Sequence, residues 1–353
     1  MEMFEEMSKH PSGWLSGQGE ESMVVLSSRV RLARNISGMT FPSAAGSDTK
    51  DKVVGYFESA RSHSDKLARG TFVRAVDLTQ LDREFLVERH LMSPTFMQDD
   101  GSSALYIGEN EQVSIMVNEE DHFRIQALSP GLNPSEALRL AGEYDNEIGK
   151  YLQLDYDPDF GFLTACPTNV GTGMRASVLI HLPGLVITKD IEKVISKITK
   201  MGVVVRGFYG EGTDVLGNLF QISNHTTLGI SEKEILDLIT GVTKSIIEDE
   251  AGARQRLMDE ASNQIIDKIW RAYGILKFAR VLTSEEVMNL LSAVRLGVAM
   301  GIIDFIDISL INEILLLSQP AHIQKYLAEE MNSDRRDVVR AEIVRTKLQQ
   351  SQN

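Results

Sequence analysis

A single cysteine, Cys166, is all the thiol this chain has, and that scarcity excludes an internal disulfide and any multi-cysteine zinc site. It suits a reducing compartment. Long apolar runs are missing too. Nowhere do roughly 18 apolar residues follow one another, so no transmembrane helix is expected. The first 22 residues are acidic and polar and carry no apolar signal core, which points to a cytoplasmic protein. Positive charge is in deficit: 36 lysines and arginines stand against 50 acids, a net charge of −14. That balance argues against broad nucleic-acid binding and makes local arginine clusters conspicuous. There is no internal repeat or low-complexity tract. Neither a G-x-x-x-x-G-K-[ST] phosphate loop nor the protein-kinase signature set occurs. What remains is ample for a packed core, with 42% hydrophobic residues in a 353-residue chain long enough for two domains.

The lone cysteine opens the stretch Cys166-Pro167-Thr168-Asn169-Val170-Gly171-Thr172-Gly173-Met174-Arg175. Pro167 pushes Cys166 towards an extended conformation. Gly171 and Gly173 permit a tight loop whose backbone can approach a ligand closely. From Met174 the apolar spacing predicts a helix, which would place Arg175 near its N-terminus, where free N–H groups and the dipole welcome an anion. One reading is a thiolate beside an anion cradle. The plainer one is a structural cysteine on an ordinary loop.

Earlier in the chain, the segment from Met23 to Arg34 reads as a strand. Arg29 and Arg31 then share one face, with Val30 and Leu32 on the other. Two adjacent guanidinium groups repel unless an anion sits between them, and phosphate fits the planar fork of arginine. Residues 48–64 and 81–91 are predicted helices, and His90 falls at the end of the second, where a lone histidine is usually a cap or surface residue. Residues 111–118 alternate as a strand and run into Glu119-Glu120-Asp121-His122-Phe123-Arg124. On a strand the two glutamates point to opposite faces, and Arg124 shares the face of Glu120. A charged hairpin turn is the competing reading. Asn133-Pro134-Ser135-Glu136 starts a helix expected to reach Leu152. Phe162-Leu163 is a strand leading to the cysteine loop. Residues 201–212 form a buried-type apolar strand and a glycine-rich turn flanked by Arg206 and Glu211, with 218–224 as the returning strand. Ser231-Glu232-Lys233-Glu234 caps a helix to about residue 266. Only helices are predicted after that: one capped by Thr283, then 308–317, 321–331 and a final charged helix. A domain boundary is placed near residue 255, giving a mixed domain over 1–255 and an all-α domain over 256–353.

Five arginines thus lie in strand, loop or hairpin contexts: Arg29, Arg31, Arg124, Arg175 and Arg206. A nucleoside triphosphate held without a phosphate loop needs such a cluster, because its transfer is promoted mainly by charge and position. The same region holds Glu120, Glu211 and Cys166. These suit an acceptor that is itself a guanidinium. Its pKa exceeds about 12, so fewer than roughly one molecule in 10⁵ is neutral at pH 7. Two carboxylates can clamp the planar cation, one of them can take the proton, and a thiolate can steady the charge.

Four segments in order resemble the motifs of the phosphagen (guanidino) kinases: Ser27 to Arg31, Asn118 to Arg124, Cys166 to Gly173 and Arg206 to Glu211. The helical N-terminal domain of arginine and creatine kinases is absent, and a helical C-terminal region is present instead. That arrangement resembles the bacterial protein arginine kinases along the whole chain. The resemblance implies an α+β phosphagen-kinase-like catalytic domain, with an antiparallel sheet flanked by helices, followed by an all-α domain. It implies transfer of the γ-phosphoryl of ATP, with Mg²⁺ entering as part of Mg-ATP, to arginine side chains of proteins. ATP would be bound by Ser27, Ser28, Arg29, Val30, Arg31, His90, Arg124, Arg175, Ala176, Ser177, Val178, Leu179, Arg206, Gly207, Phe208, Tyr209, Gly210 and Glu211. Glu120 and Glu211 would hold the target arginine beside Cys166. Arg336, Asp337, Val338, Val339, Arg340 and Ala341 would form a regulatory phosphoarginine pocket; without the resemblance, that segment reads as a salt-bridged surface helix. The implied partners are an McsA-type zinc-binding activator, the repressor CtsR and a Clp unfoldase–protease, in stress regulation, with a homodimer or larger assembly through the helical domain. Two other readings stay open: a phosphagen kinase acting on free arginine, and a non-catalytic phosphoarginine-binding adaptor.

Overall fold

In the computed structural model, which describes residues 2–98, 101–207 and 215–350, the alternating segments of the sequence become strands of one sheet. The elements run α1 (Glu2–Lys9), β1 (Val25–Arg34), α2 (Ser47–His63), α3 (Asp65–Ala68), β2 (Thr71–Arg74), α4 (Gln80–Glu88), β3 (Ala104–Ile107), β4 (Val113–Val117), β5 (Phe123–Pro130) and α5 (Pro134–Gly149). A small hairpin, β6 (Tyr156–Asp157) and β7 (Gly161–Phe162), precedes β8 (Met174–His181), α6 (Pro183–Ile187), α7 (Ile191–Thr199), β9 (Val203–Gly207) and β10 (Leu219–Asn224). Helices α8 (Glu232–Phe278), α9 (Ser284–Ala299), α10 (Ile308–Leu317), α11 (Pro320–Leu327) and α12 (Ser333–Gln350) complete the described chain.

Eight strands pair antiparallel in the order β2-β3-β4-β5-β1-β8-β10-β9. Alternation gives the sheet two unlike faces. Val30 and Leu32 lie opposite Ala127 and Ile125 on β5 and Ala176 and Met174 on β8. This apolar face packs against Phe57 of α2, Ala141 of α5 and Ile239 of α8 in the largest core. The other face is divided. At one end Leu128, Leu179 and Leu219 are buried under α8, α9 and α10, together with Trp14 from the N-terminal segment. At the other end Leu105, Ile107 and Met116 are buried with Phe85 and Leu86 of α4, and the middle of that face is polar.

Helix starts follow local chemistry. Thr79 and Ser231 form capping boxes with Asp82 and Glu234, and Asn133 caps α5 ahead of Pro134. Several boundaries differ from the sequence reading. Helix α5 stops at Gly149 rather than Leu152. The helix expected to end near residue 266 continues to Phe278, past the boundary placed at 255, with its break at Ala261 (φ −146°, ψ 32°). Helix α11 ends at Leu327 because Ala328 turns into the left-handed region at φ 53°. Strand β9 is the sheet's edge, so it is mostly half-buried rather than a buried-type strand. The clearest correction is at Met174: the predicted helix is strand β8, hydrogen-bonded to β1 on one side and β10 on the other. Pairing on both edges and burial of Ala176, Val178 and Ile180 outweigh a weak local helical spacing.

Candidate active site

Register places the arginines. Arg31 lies directly opposite Arg175 on β8, and Ala33, on the same face, opposite Arg124 on β5. Arg29 faces Ser177, and Gln221 on β10 faces Arg206 on β9. One polar face thus crosses β5, β1, β8, β10 and β9 with an arginine on four of those five strands. Arg175 therefore stands on a strand, not at a helix N-terminus, and the anion cradle is built from guanidinium groups rather than a helix dipole.

These side chains are held by neighbours on the same face. Arg29 donates from Nη2 to Gln221 Oε1 at 2.6 Å and from Nε to Ser177 Oγ at 3.4 Å. Arg175 donates from Nη2 to Ser223 Oγ at 3.2 Å. Arg31 Nε is buried without a hydrogen-bond partner among the described residues. Burial, together with the charges of Arg124 and Arg175, brings the Arg29 pKa down to about 10. Burial and the neighbouring arginines push Arg31 down as well. Desolvated like charges with an orphaned donor are unfavourable until an anion joins them, so this cluster is suited to hold one.

Two adjoining cavities define the space. The larger, about 450 Å³, is lined by Arg29, Arg31, Arg124, Arg206, Gln126, Gln221 and the segment from His90 to Thr95. A smaller one, about 60 Å³, is lined by Glu120, Asp121, Asn169, Gly173 and Arg175. Arg31 and Arg124 belong to both, so they stand where the two spaces meet. His90 adopts φ 61° and packs edge-on to Trp14 with ring centroids 5.0 Å apart. Burial, then the charge of Arg29, lowers its pKa to about 3, so it presents a neutral ring to the cavity.

The acidic segment is a turn, as the competing reading had it. Asn118 at φ 62° begins it, and its N–H donates to His122 O. Because the strand does not continue, Arg124 meets Glu119 rather than Glu120: they form an ion pair, with the Glu119 side chain 2% exposed. Ser93 Oγ also donates to Glu119. Burial pushes the Glu119 carboxyl up, but the charge and hydrogen bonds of Arg124 outweigh it and hold it below the usual range. Glu120 is exposed at the mouth of the smaller cavity. Partial burial and the nearby Asp121 raise its pKa, while Arg124 and a hydrogen bond with Cys166 oppose the rise. Asp121 brings these groups together. Its Oδ1 accepts from Ala165 N and from Asn35 Nδ2, both at 2.7 Å, tying the turn to the residue before Cys166. The sequence reading gave Asp121 no role. Nor did it single out Gln126, Gln221 or Ser223, although their strand alternation with apolar neighbours was available as a signal.

Other predicted residues divide by face. Ser27, Ser177 and Leu179 line a small recess beside Arg29 and His90. Val30, Ala176 and Val178 point into the apolar core. Ser28 is buried as a brace, donating to Gly131 O and accepting from Asn133 N. Gly207 lines the larger cavity. Phe208, Tyr209, Gly210 and Glu211 lie outside the described residues. Far from the sheet face, Arg336 and Asp337 are half-buried, Val338 is exposed, and Val339, Arg340 and Ala341 are buried. Arg340 donates to Ser318 O at 2.7 Å and Leu282 O at 2.9 Å and pairs with Asp337. Among the described residues no group of three or more His, Cys, Asp or Glu side chains is placed to hold a metal ion.

The family models for the ATP:guanido phosphotransferase C-terminal catalytic domain and the protein-arginine kinase McsB C-terminal domain match residues 50–253 and 262–353. A protein-arginine kinase of Desulforamulus reducens is 43% identical, with the match covering 100% of each chain. The chain belongs to the protein-arginine kinase family. It is accordingly a phosphotransferase with a guanidino acceptor. Among solved structures, the duplicated taurocyamine kinase of Schistosoma mansoni with bound transition-state-analogue components matches with a TM-score of 0.59 and 28% identity, over 65% of this chain and 33% of that one. A lombricine kinase matches with a TM-score of 0.59 and 26% identity, over 69% of this chain and 70% of that one. The phosphagen-kinase-like fold expected from the sequence is therefore present.

In this protein-arginine kinase the cysteine loop rests on glycine. Gly171 has φ 113°, and a Cβ there would lie 2.4 Å from Thr227 O. Thr227 in turn donates to Thr168 O and Val170 O, closing the loop around Cys166. Gly171→Ala is expected to cost about 1–3 kcal/mol in urea unfolding, from the strained backbone alone, and to lower the transfer rate more than the wild-type protein loses at a denaturant concentration giving the same stability.

Proposed function

We propose that the triphosphate of Mg-ATP lies in the arginine-lined cavity and the target arginine of a protein enters from the Glu120 side, with the reacting phosphoryl at Arg31 and Arg124. The observation behind this is that those two guanidinium groups alone border both cavities together. Glu120 and, from outside the described residues, Glu211 clamp the incoming guanidinium. Glu120 takes the proton as the guanidino nitrogen bonds to phosphorus and the bond to the departing ADP oxygen breaks. Cys166 orients and steadies the guanidinium and forms no covalent bond. Arg29 and Arg206 neutralise the triphosphate and the charge that develops on ADP, while Arg175 faces the transferring phosphoryl from the smaller cavity. Magnesium arrives with the nucleotide and supplies further charge neutralisation.

A protein chain as acceptor agrees with the open mouth at Glu120. In this reading the enzyme acts in the cytoplasm and in the stress response, as a homodimer or larger assembly, with an McsA-type zinc-binding activator. Its phosphoarginine products, the repressor CtsR among the targets, mark proteins for a Clp unfoldase–protease. Arg336 and Asp337 form the accessible part of a regulatory phosphoarginine pocket. Arg340 is buried and braces two backbone carbonyls, so Arg340→Ala is expected to lower stability by about 1–3 kcal/mol through unsatisfied acceptors, a loss read in thermal unfolding. Arg336→Ala should instead weaken phosphoarginine binding with a smaller loss of stability, since it gives up only a part-buried hydrogen bond to Met331 O.

The deciding experiment incubates the full chain with Mg-ATP, an unstructured arginine-containing protein and, in parallel, free arginine, then locates phosphate by mass spectrometry under non-acidic conditions. Phosphate on protein arginines, lost in Glu120→Gln, supports the proposal. Phosphate on free arginine alone would make the enzyme a phosphagen kinase. No transfer with activator present would leave a phosphoarginine-binding adaptor.

A further inference from the structure

Away from the reacting groups, α4 and the residue that follows it turn three ionisable side chains into the protein rather than into solvent. Asp82 pairs with Lys325 of α11 at 2.6 Å, with both side chains at most 7% exposed. Glu88 accepts from the N–H groups of Ala321 and His322, both at 2.8 Å, so its carboxyl group caps the first turn of α11. Arg89, fully buried, donates to Glu111 Oε2 at 2.6 Å, to His10 O at 3.1 Å and to His322 Nε2 at 3.3 Å. Burial and the charge of Arg89 lower the His322 pKa to about 3, so the ring accepts as a neutral imidazole. Burial likewise pushes the Glu88 carboxyl up to about 8, with the two N–H donors opposing it.

Burying this many charges is a poor way to gain stability, because apolar side chains of the same size would serve as well or better. What the arrangement does provide is a fixed position. The residue after Arg89 is His90, held at φ 61°, its carbonyl taken by the Gln126 side chain. From His90 the chain continues through Met92, Ser93, Pro94 and Thr95 as one wall of the larger cavity. Ser93 also bonds Glu119, the partner of Arg124. On the far side, the residues leading into α11 are gripped by α12: Arg340 donates to Ser318 O, and Arg336 donates to Met331 O beyond its end. Helix α11 is therefore seated between α12 and the helix that ends in the cavity wall.

We propose that Glu88 and Arg89 are positioning residues for the nucleotide: by locking the end of α4 onto α11, they set the His90–Thr95 wall, so that nucleotide affinity is governed by how α11 sits in the C-terminal helical region. This rests on the reading that Mg-ATP occupies the arginine-lined cavity. The wall meets the acidic turn only through Ser93 and Glu119, and none of these contacts involves the Glu120 side chain or the Cys166 loop, so a disturbed lock weakens nucleotide binding more than acceptor binding.

The test uses the full chain. Mg-ADP affinity is measured by calorimetry, and KM for ATP, KM for a protein substrate and kcat at saturating ATP by kinetics, for the wild type, Glu88→Ala, Glu88→Gln, Arg89→Lys and Arg29→Ala. Glu88→Ala and Arg89→Lys are expected to weaken Mg-ADP binding and raise KM for ATP about tenfold, as groups that orient a binding residue commonly do, with the protein-substrate KM and kcat within about threefold. Glu88→Gln keeps an acceptor for one N–H group and restores most of the affinity. The proposal is overturned if Glu88→Ala and Arg89→Lys are less heat-stable yet bind Mg-ADP like the wild type, or if kcat and both KM values shift together. Should Arg29→Ala, at a guanidinium that lines the larger cavity and not the smaller one, bind Mg-ADP unchanged, the nucleotide assignment itself fails. Should Arg29→Ala lose binding while Glu88→Ala and Arg89→Lys keep it, only the positioning role fails.

Discussion

Arg124→Ala will lower the phosphoryl-transfer rate by about 10³–10⁵, the scale on which an arginine poised at a transferring phosphoryl group acts. Arg124 borders both the larger and the smaller cavity, as among the described residues only Arg31 also does, which is why the proposal sets these two at the transferring phosphoryl group. The substitution has a second effect. Glu119 is 2% exposed and paired with Arg124, and stranding a buried carboxylate costs about 3–5 kcal/mol. The pH dependence has a definite sign. The folded Glu119 pKa lies below its ordinary value, so the pair contributes stability above the ordinary carboxylate pKa that is lost as pH falls through the depressed one. In Arg124→Ala that contribution is gone, and the variant becomes relatively more stable as acid protonates Glu119. Urea unfolding between pH 4 and pH 8, beside single-turnover transfer rates, separates the two effects. Arg124→Lys keeps the ion pair but not the planar fork, so it should recover most of the stability and little of the rate. A variant as active as the wild type would remove Arg124 from the reaction.

Glu120→Gln comes next, with kcat expected to fall by about 10²–10⁴, the usual contribution of a positioned base. KM for ATP should hold, because Glu120 borders only the smaller cavity. Partial burial and Asp121 raise the Glu120 pKa. A base must be deprotonated to act, so activity should rise with pH along a limb displaced above the ordinary carboxylate range, and that limb should vanish in Glu120→Gln. Cys166→Ala should cost less than Glu120→Gln, since in the proposed mechanism Cys166 orients the guanidinium and takes no proton. An unchanged acidic limb in Glu120→Gln would assign the base to another group, Glu211 being the next to replace.

How much of this was legible beforehand follows from the range of each interaction. Two-residue alternation put Arg29 and Arg31 on one face and Val30 and Leu32 on the other, and the sheet kept both. Asn133, Ser231 and Thr283 each marked a helix start where it occurs, because a cap is decided within four residues. The absent phosphate loop meant that any triphosphate held by this chain would need a site made of side chains, and the arginines in strand contexts were the candidates for it.

Other features depend on partners far away in sequence. Residues 174–181 are a strand because β1 and β10, more than a hundred and about forty residues away, pair with both edges. Glu119 and Glu120 are neighbours of one chemical type, and only the turn at Asn118 decides which of them is buried on Arg124 and which reaches Cys166. Arg340 reads as half of a surface pair with Arg336 on a charged helix, yet α12 packs so that its guanidinium braces carbonyls from Leu282 and Ser318. The sequence by itself determined the composition of the site and the periodicity of its elements, because backbone geometry and capping act locally. Which carboxylate is exposed, which arginines converge, and how α11 meets α4 were decided by the tertiary structure alone, because burial and charge pairing are properties of the space between segments and no short stretch of chain contains them.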